Sequence, residues 1–244
     1  MNDKKWIEFI RDEELQHIKE IISNNKIKKI LDIGGKDGYH AKRFTDWGFD
    51  VISIDMNPVS TYFDVKKMDA IDLQFESNSF DLVFSSHVIA HIQDKKLVFN
   101  EINRVVKNKG LIIHIVPSNW WSLITNFWHY ILLPKLAYQK IRNRSNNKSG
   151  KCQNNEMSHQ GKNRLINLLI NHPLGTEKSF IIEIFKFSKN NWAKLFTTYE
   201  NTVIKNLNGP LVYSGYNILK NHGIKIRKKF ANVFPCSYIF IIEK

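Results

Sequence analysis

The chain has little cysteine and no long apolar run. Its two cysteines among 244 residues, Cys152 and Cys236, stand far apart and outside any CxxC or CxxH spacing. That excludes a disulfide framework and a structural zinc site as organising devices, so both read as reduced thiols and no metal is expected. No stretch of 18 residues is free of polar side chains, so no membrane-spanning helix is expected. The opening residues, MNDKKWIEFIRDEEL, lack the basic, apolar, small-residue order of a secretory signal, and a cytoplasmic protein is expected. Acidic residues are the scarcer charge: 23 Asp and Glu against 36 Lys and Arg leave a net charge of +13. A nucleic-acid partner, an anionic membrane surface or a composition biased towards Lys, Asn and Ile can each produce that excess. Lysines are spread along the chain, which favours biased composition, with one local exception between Lys135 and Lys151.

What is present is enough chain for one sizeable core, with room for an insertion. Residues 4–23 place Trp6, Ile7, Phe9, Ile10, Leu15, Ile18, Ile21 and Ile22 near a 3.6-residue repeat with charges between them, which predicts an amphipathic helix that packs or lids. From residue 28 short apolar runs alternate with helical stretches, the pattern of strand, crossover helix and strand in a parallel sheet. Strands are predicted at 28–33, 50–55, 79–86 and 111–117, and helices at 39–48 and 94–110, each helix stopping at a glycine. Residues 118 to about 178 break the rhythm with a Trp-rich stretch, a polar basic stretch and a short helical segment at 163–172. A helix is predicted at 188–200 and a closing strand at 236–244, so the sheet resumes after the insertion. Residues 201–235 are left with a strand and a loop, with turn points at Gly209, Pro210 and Gly215. The predicted division is an N-terminal helix (1–27), a nucleotide-binding core (28–117), an inserted cap (118–180) and a C-terminal completion of the sheet (181–244).

A glycine-rich turn between a first strand and a first helix brings backbone N–H groups close to a ligand. Gly34, Gly35 and Gly38 stand at such a turn. Asp55 follows Gly34 by 21 residues, at the end of the second strand, where a carboxylate can accept from both hydroxyls of a ribose. Together these predict an adenosine-containing cofactor. The glycine spacing is G-G-x-x-G after Asp32, not the G-x-G-x-x-G of a dinucleotide fingerprint.

With Asp69 and Ala70, the strand residues Phe80, Asp81 and Val83, the pair His91 and Ile92, and Lys107 with Gly110, residues 30–117 resemble the class I, Rossmann-like methyltransferases. The branch resembled modifies small molecules, quinones, sugars and lipids. The resemblance implies a doubly wound, mostly parallel, seven-stranded α/β sheet with an inserted helical cap. It also implies S-adenosylmethionine as cofactor, with S-adenosylhomocysteine as product. By resemblance Asp55 holds the ribose, Met56 packs on the adenine, and Asp69 with Ala70 takes its amino group. Asp32 and the turn of Gly34, Gly35 and Gly38 hold the methionine portion, and Ser85 lies beneath the reacting methyl. Lys36 stands where the family commonly has glycine, so its side chain must point away from the ligand.

His87 and His91 are the candidate general bases, because imidazole titrates near neutral pH and a hydroxyl acceptor must lose its proton as it attacks. Alignment of nucleophile, methyl carbon and sulfur also contributes, so a pocket-shaping role for both stays open. In the insertion, Trp120, Leu123, Ile124, Phe127, Trp128 and Ile131 share a helical face, and Lys135, Lys140, Arg142, Arg144, Lys148 and Lys151 follow. That composition suits an interfacial helix on anionic headgroups, and also a cap whose aromatic face packs over the sheet. The acceptor expected is a hydroxyl of a sugar, surface glycan or lipid-linked small molecule, with peripheral membrane contact through 120–151. The alternatives are RNA methylation, against which the strand end SSHVIAHI carries no motif for gripping a base, and a non-catalytic adenosyl-cofactor binder.

Overall fold

The protein is described by a computed structural model covering residues 3–146, 175–176, 179–199, 202–214 and 222–244. Its strands are β1 (Lys29–Ile33), β2 (Asp50–Asp55), β3 (Val65–Lys67), β4 (Phe80–Ser86), β5 (Val106–Pro117), β6 (Thr202–Asn208) and β7 (Ser237–Glu243). Its helices are α1 (Asp3–Asn24), α2 (Tyr39–Asp46), α3 (Lys95–Val105), α4 (Asn119–Asn146), α5 (Phe180–Lys186), α6 (Lys189–Tyr199) and α7 (Ile224–Ala231). The strands form one sheet in the order β3-β2-β1-β4-β5-β7-β6. The first five pair in parallel, and β7 runs antiparallel between β5 and β6.

The nearly unbroken apolar content of β1, β4 and β5 follows from helices covering both faces of the sheet. On one face Leu15, Ile18 and Ile22 of α1 and Phe44 of α2 pack with Phe84, Ile113 and Ile239. On the other, Phe99 and Ile102 of α3 and Trp192 and Phe196 of α6 pack with Phe80, Ile112 and Phe240. Strand order reverses between β1 and β4, and in an open parallel sheet the carboxyl ends at such a reversal leave a crevice.

The helix predicted to Gly110 ends at Val105. Val106 is extended and pairs with Phe80, then Lys107 to Gly110 bulge before pairing resumes at Leu111 and Leu82. A Lys107 ammonium donating to Asp81 at 2.7 Å holds that excursion. Three elements lack a predicted counterpart: the short β3, α5 and α7. The stretch from Asn119 begins one long helix, α4, capped by the Ser118 hydroxyl, which accepts from Trp121 N–H at 2.9 Å. The same hydroxyl donates to the Pro235 carbonyl and ties the helix start to the entry of β7. The basic stretch from residue 147, with Lys148 and Lys151, Cys152, the segment 163–172 and Gly215 lie outside the described residues.

Candidate active site

The crevice at the strand reversal holds a cavity of about 900 Å³, with Gly34, Asp55, Met56, Asp69, Ala70 and His91 in its wall. Gly34 and Gly35 donate their N–H groups to the Ile54 carbonyl at 2.8 and 3.0 Å, pinning the turn to β2. A Cβ on Gly34, at φ 77°, would strike the Val88 side chain at 2.1 Å, and one on Gly35 would strike the Ser53 hydroxyl at 1.9 Å. These glycines therefore let the turn lie flat between β2 and the segment after β4. Beneath them Asp32 is fully buried and accepts from the Ser53 hydroxyl at 2.8 Å. Burial raises its pKa to about 7, against the lowering influence of that bond and of Arg11. It supports the turn from below and is not part of the cavity wall.

Asp55 accepts from Asn57 N–H at 2.7 Å and from Lys36 N–H at 3.2 Å, one bond to each oxygen. Each oxygen retains acceptor capacity for a further donor. Lys36 sits in the left-handed region at φ 49°. Its ammonium donates to the Asn57 carbonyl at 3.0 Å, which folds the side chain back along the rim. Across the cavity, Asp69 closes a turn by accepting from Ile71 N–H at 3.1 Å beside the buried Ala70.

A second cavity of about 290 Å³ adjoins the first and shares Arg11, Gly34, Ser86, His87 and His91 with it. Its own walls include Ile7, Ile10 and Glu14 of α1, His40, Trp121 and Tyr213. From its sequence α1 carried no chemistry, yet it roofs this space. Ion pairs tie it to α2 and the turn before it: Arg11 to both oxygens of Asp37 at 2.9 Å, and Arg43 to Asp12 at 2.9 and 2.6 Å. No spacing rule links Arg11 to Asp37, so Arg11 and Glu14 had no sequence signal.

His87 also has a left-handed backbone, at φ 59°, with its N–H donated to the Ile115 carbonyl at 2.7 Å. Its Nε2 lies 3.7 Å from Oε1 of the buried Glu14, which accepts from the Ser237 hydroxyl at 2.6 Å. His91 ends a short 3₁₀ turn, Ile89–His91. Burial, then the neighbouring His87, lowers the pKa of His91 below the ordinary imidazole value. His40 is buried, its Nε2 has no hydrogen-bond partner among the described residues, and burial lowers its pKa well below the ordinary value, with Arg11 and His87 adding to the effect. Ser85 is displaced from its expected place: it is fully buried and bonded to His114 Nδ1 at 2.7 Å, while Ser86 lines both cavities. Adjacent strand residues face opposite sides of a sheet, and two consecutive serines gave no means of choosing between them.

Among the described residues, no cluster of His, Cys, Asp and Glu is arranged to hold a metal. The residues present fit an adenosyl cofactor: the larger cavity lies within the volume range of cofactor sites, Asp55 retains acceptor capacity at its rim, and the buried His40 nitrogen beside the glycine turn lacks a partner among the described residues.

Residues 31–114 match a family model described as a methyltransferase domain. Phosphoethanolamine N-methyltransferase 2 of Caenorhabditis elegans is 31% identical over 116 residues, covering 42% of this chain and 26% of that protein. The 2-methyl-6-phytyl-1,4-hydroquinone methyltransferase of Synechocystis sp. is 31% identical over 116 residues, covering 38% of this chain and 36% of that one. The chain thus spans about a quarter to just over a third of the length of these curated relatives. An S-adenosylmethionine dependent methyltransferase of Mesorhizobium loti, at 8% identity, superposes with a TM-score of 0.53 over 95% of this chain and 98% of its own. Residues 31–114 are accordingly similar to a methyltransferase domain, and the sheet built around them has the fold of that S-adenosylmethionine dependent methyltransferase.

Proposed function

We propose that the protein transfers the methyl group of S-adenosylmethionine to a hydroxyl of a small-molecule acceptor, such as a sugar, a glycan or a lipid-linked precursor. The observation that carries this reading is the pair of cavities joined at Gly34, Ser86, His87 and His91. One has room for an adenosyl group, and the other is of small-molecule size. Asp55 accepts from the ribose hydroxyls, Met56 covers the adenine, and Asp69 with Ala70 takes the adenine edge. When bound, the cofactor supplies a sulfonium methyl as electrophile. Arg11 and the glycine turn hold its amino-acid end, and α1 with Trp121 keeps water from the smaller cavity. His91, whose pKa partial desolvation lowers, accepts the hydroxyl proton, while His87 positions the acceptor at the junction.

A buried carboxylate beside the acceptor space, Glu14, favours a second reading in which the acceptor is an amine; one relative is named for N-methylation. Incubation with methyl-labelled cofactor and fractionated extract, followed by hydrolysis of the labelled product, separates methyl ether from methylamine. Asp55→Ala tests the cofactor site independently of any acceptor. Loss of its charged hydrogen bonds is expected to weaken cofactor binding about 100-fold by calorimetry, and parental affinity in the variant removes the ribose assignment.

A further inference from the structure

The lysines are spread along the chain, but the carboxylates are not. The first 117 residues hold eighteen acidic and seventeen basic side chains, and the remaining 127 hold five acidic and nineteen basic. Nearly all of that imbalance falls in two stretches. Residues 118–155 and 201–242 each carry six Lys or Arg and no Asp or Glu.

The fold brings the described parts of these stretches, α4 and residues 202–214 and 222–242, together. The first turns of α4 pack against the segment around Ser214 and against the residues that follow α7, through Thr125 Oγ1 and Ser214 Oγ at 3.0 Å and through Trp120 edge-on to Phe234 at 4.7 Å. Between them runs a groove of about 670 Å³ walled by Trp120, Leu123, Ile124, Phe127, Phe230 and Phe234. Its rim is apolar and open to solvent: Phe127 is 59% exposed, Phe230 55%, Ile226 61% and Val233 62%. Ile226, Phe230 and Val233 follow an i, i+4, i+7 spacing along one face. Lys225 and Lys229 are exposed beside them, and Lys228 is tied to Glu13 of α1 at 2.7 Å.

We propose that this face, built jointly by α4 and α7, docks the protein on an anionic lipid surface. Charge complementarity selects the occupant: a lysine-bearing border, in which Lys228 is paired with Glu13 while Lys225 and Lys229 stand exposed, around exposed apolar side chains matches anionic headgroups above acyl chains. The groove wall includes Leu123, Ile124 and Val212 beside its aromatic rings, and the exposed Ile226 and Val233 flank it; branched aliphatic side chains favour acyl chains over nucleobases, which are held mainly by aromatic stacking and hydrogen bonds. Among the described residues no helix is long and apolar enough to cross a membrane, so the contact lies in the interface. Trp121 lines the smaller cavity while its neighbour Trp120 walls the groove, so docking sets the acceptor space beside the lipid surface. The proposal does not depend on which acceptor is methylated.

Flotation of the whole protein with vesicles of phosphatidylcholine containing 30% phosphatidylglycerol, against phosphatidylcholine alone, tests it. Binding is expected only to the anionic vesicles. It should fall at least about tenfold in Lys225→Glu/Lys229→Glu and similarly in Phe127→Ser/Phe230→Ser, with melting temperature and cofactor affinity unchanged. Failure of the parent to float with anionic vesicles overturns the proposal, as does equal binding to neutral ones or parental binding by both variants. A dimer that Phe127→Ser/Phe230→Ser dissociates assigns the face to a second copy, and single-stranded RNA binding lost in both variants assigns it to nucleic acid; either result also overturns the lipid assignment.

Discussion

Residues 1–117 and residues 118–244 solve different problems with different kinds of information. The first part is balanced in charge and carries the glycine turn, Asp55, Asp69 and both histidines at fixed spacings. The second carries all of the net positive charge and none of those spacings, yet supplies β6 and β7 of the same sheet together with Trp121 and Tyr213 of the smaller cavity. A cofactor site leaves a linear trace because backbone geometry demands certain residue types at the end of each strand. A surface assembled from α4 and α7, about 100 residues apart, leaves only a bias in charge.

The comparison breaks most visibly if the second part folds apart from the first. Phe196 of α6 is fully buried against Phe240 at 5.0 Å, stacks on His114 at 4.9 Å and meets Phe99 at 5.9 Å. Truncating it to alanine should cost about 3 to 5 kcal/mol, read as a lower denaturation midpoint in a single transition. Two separated transitions would show that the halves are independent bodies.

Within the first part, the Asp32 that supports the turn should destabilise the fold at high pH. Its folded pKa, about 7, lies above the unfolded value of 3.8. The folded state therefore binds the proton more tightly, and this contribution to stability is present below about pH 4 and lost as pH rises towards 7. Asp32→Asn removes that dependence while keeping an acceptor for Ser53. The variant's stability relative to the parent should rise by about 3 to 4 kcal/mol between pH 4 and pH 7, measured by denaturant unfolding at each pH. A constant difference would place Asp32 in contact with water. His40 and His91 act with the opposite sign: their lowered pKa values reduce stability in both proteins as pH falls below about 6.5, and the effect cancels in the difference.

Smaller is the effect expected at the reacting centre. His91→Gln should slow transfer about 100-fold with cofactor affinity intact by calorimetry. The parental rate should fall on the acid side with an inflection below the ordinary imidazole value of about 6.5, and the variant should lose that limb. An unchanged rate would return His91 to the role of pocket wall.

Much of the first part was legible, and the exceptions are physical. Asp55, Met56, Asp69, Ala70, His87 and His91, distant in sequence, share the wall of the larger cavity. Ser85 misled because Ser85 and Ser86 are chemically identical and only the pleat separates the core side from the cavity side. Arg11 and Glu14 were invisible because their partners, Asp37 and His87, are distant in sequence. In α7, the run IKIRKKFA falls within the stretch left with a strand and a loop, and the left-handed Gly223 starts a helix there. The single helix at 94–110 failed at Val106, where pairing with Phe80 overrode the helical period.

Lys36 offers the smallest and sharpest test of how the first part tolerates a departure from its pattern. A non-glycine residue at φ 49° is strained by roughly 1 kcal/mol relative to glycine. The compensation visible in the structure is one exposed bond from its ammonium to the Asn57 carbonyl, which contributes little in water. Lys36→Gly should therefore raise stability by somewhat under 1 kcal/mol once the extra freedom of glycine in the unfolded chain is set against the relieved strain, or about 2 °C in melting temperature. Cofactor affinity should hold or tighten, because the Lys36 N–H that donates to Asp55 belongs to the backbone and survives the substitution. A variant that melts lower and binds more weakly would mean that the ammonium, not the turn, holds the rim in place, and that the irregular residue had become part of the site.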